Sequence, residues 1–306
     1  MDRLSAFSML VLVAVLAGAG PFIAGGLLYW SKRRARARRR SPLTSDLLRA
    51  PGYGIRLRLD AVRDEVDMCL LVLVTAPLTV YAVHLTQSYA FRVPETLTRV
   101  IVNLVASFAV IGWMSYRLLS FSRRLDQLRV GLDAEMAIGQ ELDQLMRSGA
   151  AVFHDVPAEG WNIDHVLICE TGVYSVETKG RPKPIRGRGS DDAKVIFDGT
   201  TLRFPTWVET KPLAQAERQA AWLGKWLQSA VAAPVSPIPV LAIPGWFIER
   251  KGRSSVLVTN GKRMDFLLRY EGQRLSKEMI QRIAHQVEQR CRTVKPTYLP
   301  KQQKME

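Results

Sequence analysis

Three runs without formal charge constrain this chain more than any other feature. Leu4 to Ser31 contains no Asp, Glu, Lys, Arg or His. Met68 to Phe91 is interrupted only by Pro77 and His84, and Val100 to Tyr116 carries no charge. A helix of about 20 apolar residues crosses the ~30 Å hydrocarbon core of a bilayer. The first two runs meet that length. The third meets it if Arg117 extends its head to the interface and Leu118–Phe121 complete the span. The runs predict transmembrane helix 1 within residues 1–31, a basic cytoplasmic connector over 32–67, and transmembrane helices 2 and 3 within 68–121. Three helices are too few for most transporters, so they read as an anchor in a lipid bilayer. His84 reads as a hydrogen-bonded polar residue of its helix, not a ligand.

The basic residues orient the spans. Lys32 to Arg40 reads KRRARARRR and follows the first run, while only Arg3 precedes it. A signal peptide carries its positive charge first. Arg123, Arg124 and Arg129 follow the third run. The positive-inside rule then predicts a multi-pass protein of the cell (inner) membrane, N-terminus outside and C-terminal domain in the cytoplasm. The cluster at 32–40 would also suit nucleic acid, but topology and anionic lipid already account for it. The formal net charge of the whole chain is +15. Its excess beyond residue 121 is spread out, which suits a polyanionic partner or plain solubility. Cys69, Cys169 and Cys291 lie far apart and form no CxxC pair, which argues against zinc and against a disulfide framework.

After Arg129 the composition becomes that of a soluble domain, expected over 129–294. Leu132, Ile138, Leu142 and Leu145 mark one face of a leading helix, with Glu135 near that face. Ala151–Val156 reads as a strand. Lys194–Phe197 and Thr200–Phe204 flank Asp198-Gly199, a strong hairpin signal. Ala214–Gln228 is a helix, Val240–Ile243 and Ser255–Val258 are later strands, and Ser276 caps a final amphipathic helix. Residues 295–306 read as a disordered tail. A short amphipathic helix is expected near Leu57–Val66.

The chemistry gathers in Ile163–Gly180, IDHVLICETGVYSVETKG. Val166–Cys169 and Val173–Val176 are apolar runs separated by Glu170-Thr171-Gly172, the pattern of a buried hairpin. Glu177 and Lys179 share a strand face, and a hairpin closed at that turn returns Asp164 beside Glu177. Two clustered carboxylates suit a hard divalent cation, and a neighbouring ammonium can orient metal-bound water. The same residues also serve as a turn cap and a surface ion pair, and the spacing alone does not separate the two readings. The segment 180–192, with Arg181, Lys183, Arg186 and Arg188, reads either as a phosphate-backbone clamp or as a solvated loop.

Asp164 followed by Glu177-Thr178-Lys179 resembles the PD-(D/E)xK nuclease superfamily and, within it, the nuclease-related domain (NERD) family. Gly131–Glu135, Val152–Val156, Asn162–His165 and Leu213–Ala216 resemble further pieces of that family. Ile163 stands where the superfamily's nominal Pro precedes the Asp. The resemblance covers Gly131 to Leu227. It implies an α/β fold, a mixed β-sheet flanked by helices in the restriction-endonuclease manner. It also implies a metal-dependent nuclease using Mg²⁺ or Mn²⁺ on nucleic acid, DNA ahead of RNA. Asp164, Glu177 and Glu135 would be the metal ligands, Lys179 the residue activating water, and Gln215 a residue ordering the water or the substrate phosphate. Two other readings use the same residues: a catalytically silent nucleic-acid-binding or signalling platform at the membrane, and a scaffold acting through its membrane helices. The sequence leaves the oligomeric state open.

Overall fold

The computed structural model describes residues 23–34, 43, 45–89, 91–185 and 189–296. They fall into two compact units, one built on Ala61–Arg124 and one on Asp46–Asp60 with Leu125–Lys295.

The first unit contains most of helix α1 (Tyr53–Tyr89) and the first half of helix α2 (Leu97–Gln144). Leu71, Val74, Leu78 and Tyr81 on α1 and Leu104, Val105, Phe108 and Trp113 on α2 are exposed. Apolar surface this extensive marks a face that contacts a membrane or another protein. The polar side chains satisfy themselves locally. Thr75, Thr79 and Thr86 each donate to the carbonyl four residues earlier at 2.8 Å. His84 bonds Asn103 at 3.0 Å, and Arg99 donates to the carbonyls of Val93 and Pro94 in the turn between the helices. Among the described residues two helices are long and apolar enough to cross a membrane, not the three expected. Most of the first run, residues 4–22, lies outside the described residues, and 23–34 are helical and exposed.

Both helices continue past the apolar runs. The short helix expected near Leu57–Val66 is instead part of α1, and the leading helix expected from Gly131 is the end of α2. Neither 60–67 nor 122–129 contains Gly or Pro, so nothing in the sequence breaks the helix there.

The second unit is a mixed α/β fold. Its strands are β1 (Leu47–Leu48), β2 (Ala151–Pro157), β3 (Asn162–Cys169), β4 (Gly172–Thr178), β5 (Lys194–Phe197), β6 (Leu202–Arg203), β7 (Val208–Glu209), β8 (Ile238–Ala242), β9 (Phe247–Arg250), β10 (Leu257–Thr259) and β11 (Arg292–Val294). Helix α3 (Lys211–Val231) precedes β8, and α4 (Lys277–Cys291) precedes β11. The central sheet has the order β10-β8-β4-β3-β2. β2, β3 and β4 are antiparallel neighbours, while β8 runs parallel to β4 and to β10.

β4 is the middle strand, and all seven of its residues are buried. Period-two alternation divides its core and that of β3 between two faces. Leu167, Tyr174 and Val176 pack with Ile138 and Leu142 of α2 and with Leu145 in the turn just after it. Val166, Ile168 and Val173 pack with Leu223 and Leu227 of α3 and with Ile283 and Val287 of α4. Burying each such side chain contributes about 1.5–3 kcal/mol. Ser276 caps α4 as expected, its hydroxyl accepting from the Met279 N–H at 3.2 Å. A second sheet, β7-β6-β5-β9, carries the Asp198-Gly199 hairpin, where Asp198 accepts from the Thr201 N–H at 2.7 Å. The tail expected to be disordered, 295–306, falls almost wholly outside the described residues.

The expected boundary near Arg129 leaves out one part of this unit. Asp46–Asp60 joins it as a strap, whose strand β1 pairs antiparallel with β11. Asp155 holds the strap: its carboxylate accepts from Arg49 at 2.8 Å, from the Gly54 N–H at 3.0 Å and from Asn162 at 2.7 Å. Asp155 adopts a left-handed backbone (φ 49°), and these three donors fix it there. A Cβ on Gly54 would stand 2.9 Å from the Asp155 carboxylate, so the close approach requires glycine.

Candidate active site

The turn Glu170-Thr171 closes the β3–β4 hairpin, with Cys169 opposite Gly172 and His165 opposite Val176. Carrying that register to the end of the strands puts Asp164 opposite Glu177, as the sequence predicts. The backbone confirms the approach: the Thr178 N–H donates to the Asp164 carboxylate at 2.7 Å. Lys179 pairs with Glu177 across the strand end. From α3, Gln215 donates to one Glu177 oxygen at 2.8 Å and Gln219 to the other at 2.6 Å. Gln215 and Gln219 are one helical turn apart, so they address the same carboxylate from one face.

A cavity of 580 Å³ opens here, and Glu135, Asp164, Glu177, Lys179 and Gln215 all line it. Glu135, Asp164 and Glu177 keep only 6%, 6% and 2% of their surface exposed. Three carboxylates so deep disfavour one another's charge. Burial, then Asp155 and Glu177, push Glu135 up to about 7. Burial, then Glu177 and Glu135, raise Asp164 well above the usual range, against the opposing hydrogen bond from Thr178. One oxygen of Glu135, Oε2, is buried with no hydrogen-bond partner among the described residues.

Residues 130–243 match the family model of the nuclease-related domain. No curated protein and no solved structure matches the chain significantly. The matched segment supplies β2 to β8 with α3, and with them the cavity floor. It begins at the last turns of α2, so Glu135 falls inside it.

Nuclease-like domains usually use a divalent metal. Among the described residues no three His, Cys, Asp or Glu side chains are gathered into a ready metal centre. The donor set of the matched segment nevertheless fits a hard cation in kind. It consists of carboxylate oxygens, burial and then mutual repulsion raise the pKa of two of them, and one buried oxygen lacks a partner among the described residues.

The basic residues expected beyond Lys179 are divided. Arg181 lines the cavity, but its guanidinium makes two hydrogen bonds of 2.9 Å to Glu209. Lys183 is exposed and does not line the cavity. Arg186 and Arg188 lie outside the described residues.

Sequence reasoning missed several parts of the wall. Gly54, Ile55 and Arg58 come from the strap, Trp161 from the residue before β3, and Arg218 and Gln219 from α3. Gln219 carried a signal, since it repeats Gln215 one turn on. The strap carried none, because its partner Asp155 lies 106 residues away from Arg49.

Buried beside the site, His154 bonds His165 at 2.9 Å through their Nδ1 atoms and Asp143 at 2.9 Å through Nε2. Burial lowers the pKa of both histidines.

Proposed function

We propose that this chain is a membrane-anchored nuclease that hydrolyses nucleic-acid phosphodiester bonds with a divalent cation, Mg²⁺ or Mn²⁺. The observation that carries the reading is the convergence of Glu135, Asp164, Glu177, Lys179 and Gln215 on one cavity within a segment similar to the nuclease-related domain.

Asp164, Glu177 and Glu135 would hold the cation, with the Thr178 carbonyl as a further oxygen. The bound cation would polarise the scissile phosphate and offset the charge that builds on it. Lys179 orients the attacking water and assists its deprotonation. Gln215 and Gln219 hold the two Glu177 oxygens in fixed directions, and Gln215 also stands where it can order the water or a phosphate oxygen. The Thr178 N–H fixes the Asp164 carboxylate. DNA is the first substrate to try, ahead of RNA.

The full chain, purified in detergent, should cut plasmid, linear duplex or single strands when Mg²⁺ or Mn²⁺ is present and not in a chelator. Retention of nucleic acid with no cutting in either metal would reject the enzyme and leave a silent binding platform.

The apolar faces of α1 and α2 support the anchor, and the basic residues at 32–40 and 123–129 support a cytoplasmic C-terminal domain. Reporter fusions after residue 306 should be active only in the cytoplasm. Activity outside would overturn the orientation.

A further inference from the structure

We propose that the cavity takes an unpaired nucleic-acid strand, with a base stacked on Trp161 and phosphates held by Arg58 and Arg218. The inference rests on the nuclease reading above and names its substrate class.

Depth is the first reason. Asp164, Glu177 and Glu135 are almost fully buried, whereas Trp161 on the same cavity is 37% exposed and Arg58 and Arg218 are exposed. A phosphodiester reaches those carboxylates only by entering the recess. Duplex DNA stays stiff over ~150 base pairs and presents its phosphates on a broad cylinder. A single strand bends into a recess, and its base then needs an apolar surface.

Trp161 provides that surface. Its ring meets Trp222 edge-on at 5.2 Å between centroids. Trp222 stacks nearly parallel with Trp226, and the Arg290 guanidinium lies 5.1 and 4.9 Å from those two rings. Trp161 is thus braced on one side and open on the other. Stacking on such a ring tolerates any base, because every base has a π-face.

The cations complete the grip. Four line the cavity: Arg58, Lys179, Arg181 and Arg218. Lys179 is paired with Glu177 and Arg181 with Glu209. Among the described residues the guanidinium groups of Arg58 and Arg218 make no ion pair, which leaves them for phosphate. Arg58 comes from the strap, far upstream of the family match, and the Asp155 contacts to Arg49 and Gly54 hold the strap at the cavity.

The test is fluorescence anisotropy on the full chain in detergent, with EDTA present so that nothing is cut. The probes are a short labelled DNA strand and the same strand annealed to its complement. The single strand should bind about tenfold more tightly than the duplex. Trp161→Ala should weaken single-strand binding about tenfold, while Trp161→Phe, which keeps a stacking ring, should retain most of it. Arg58→Gln and Arg218→Gln should each weaken binding and lower the salt slope by about 0.7. Melting curves check that the variants fold. Equal or tighter duplex binding, no binding of either form, or wild-type binding by a folded Trp161→Ala would overturn the inference. Cutting in Mg²⁺ is scored separately. Selective single-strand binding without cutting would remove the enzyme and leave this inference standing.

Discussion

Glu177 is held by three side chains at once, Lys179, Gln215 and Gln219, and neighbours two more carboxylates. That crowding makes its removal informative. Glu177→Gln or Asp164→Asn should abolish cleavage while costing little stability, because each change relieves repulsion among buried charges. Lys179→Ala should leave metal binding in place and lower the rate about 10²- to 10⁴-fold. A merely structural pair, with Glu177 buried, would instead cost about 3–5 kcal/mol of stability when Lys179 is removed and spare the rate. Cleavage assays and melting curves on the same variants distinguish the two.

Glu135 adds a pH dependence. Its carboxyl titrates near 7 in the folded protein against an ordinary 4.5. The folded state therefore holds this proton more tightly, so the group's contribution to stability is full below about 4.5 and lost as pH rises through about 7. His154 and His165 run the other way. Their lowered values give a contribution that is full above 6.5 and lost as pH falls below it. A cation between the carboxylates competes with the Glu135 and Asp164 protons. The rise in melting temperature caused by Mg²⁺ should therefore grow as pH passes through 7, and cleavage should grow with it. A Mg²⁺ effect that is flat from pH 6 to 8 would remove Glu135 from the metal site.

At the scale of elements, what was legible in the sequence depended on how local the code was. The β3–β4 hairpin was legible because its turn and its period-two runs sit within one short stretch, and the register then fixes Asp164 against Glu177. The helix bearing Gln215 was legible from its apolar spacing, but the direction of Gln215 toward Glu177 came only through the family resemblance. The two long helices were legible as apolar runs and misread at their ends, since nothing in 60–67 or 122–129 stops a helix. The strap was not legible, because its partners lie in β2 and β11, far along the chain. Arg49→Ala should test it. The change removes a guanidinium from Asp155, which is only 1% exposed. Losing one partner of a buried pair costs about 3–5 kcal/mol, so a large fall in melting temperature is expected. A shift within error would mean that the strap is held elsewhere.

For the whole molecule, the strap belongs to the second unit although it precedes the expected boundary near Arg129. A fragment of residues 125–295 lacks Arg49, the Gly54 N–H and the β1 partner of β11, and it exposes the surface that they cover. It should melt well below the same fragment supplied with a peptide of residues 46–60, by calorimetry in detergent-free buffer. Equal melting with and without the peptide would return the boundary to Arg129. The β1–β11 pair also sets an order of assembly during synthesis. β1 leaves the ribosome before either apolar helix, and its partner β11 is the last described strand to emerge. The strap must wait while more than a hundred residues are made before Asp155 can accept it, and longer still for β11. A ribosome stalled between residues 145 and 291 therefore holds a chain in which both long helices are complete in sequence while β1 still lacks its partner strand.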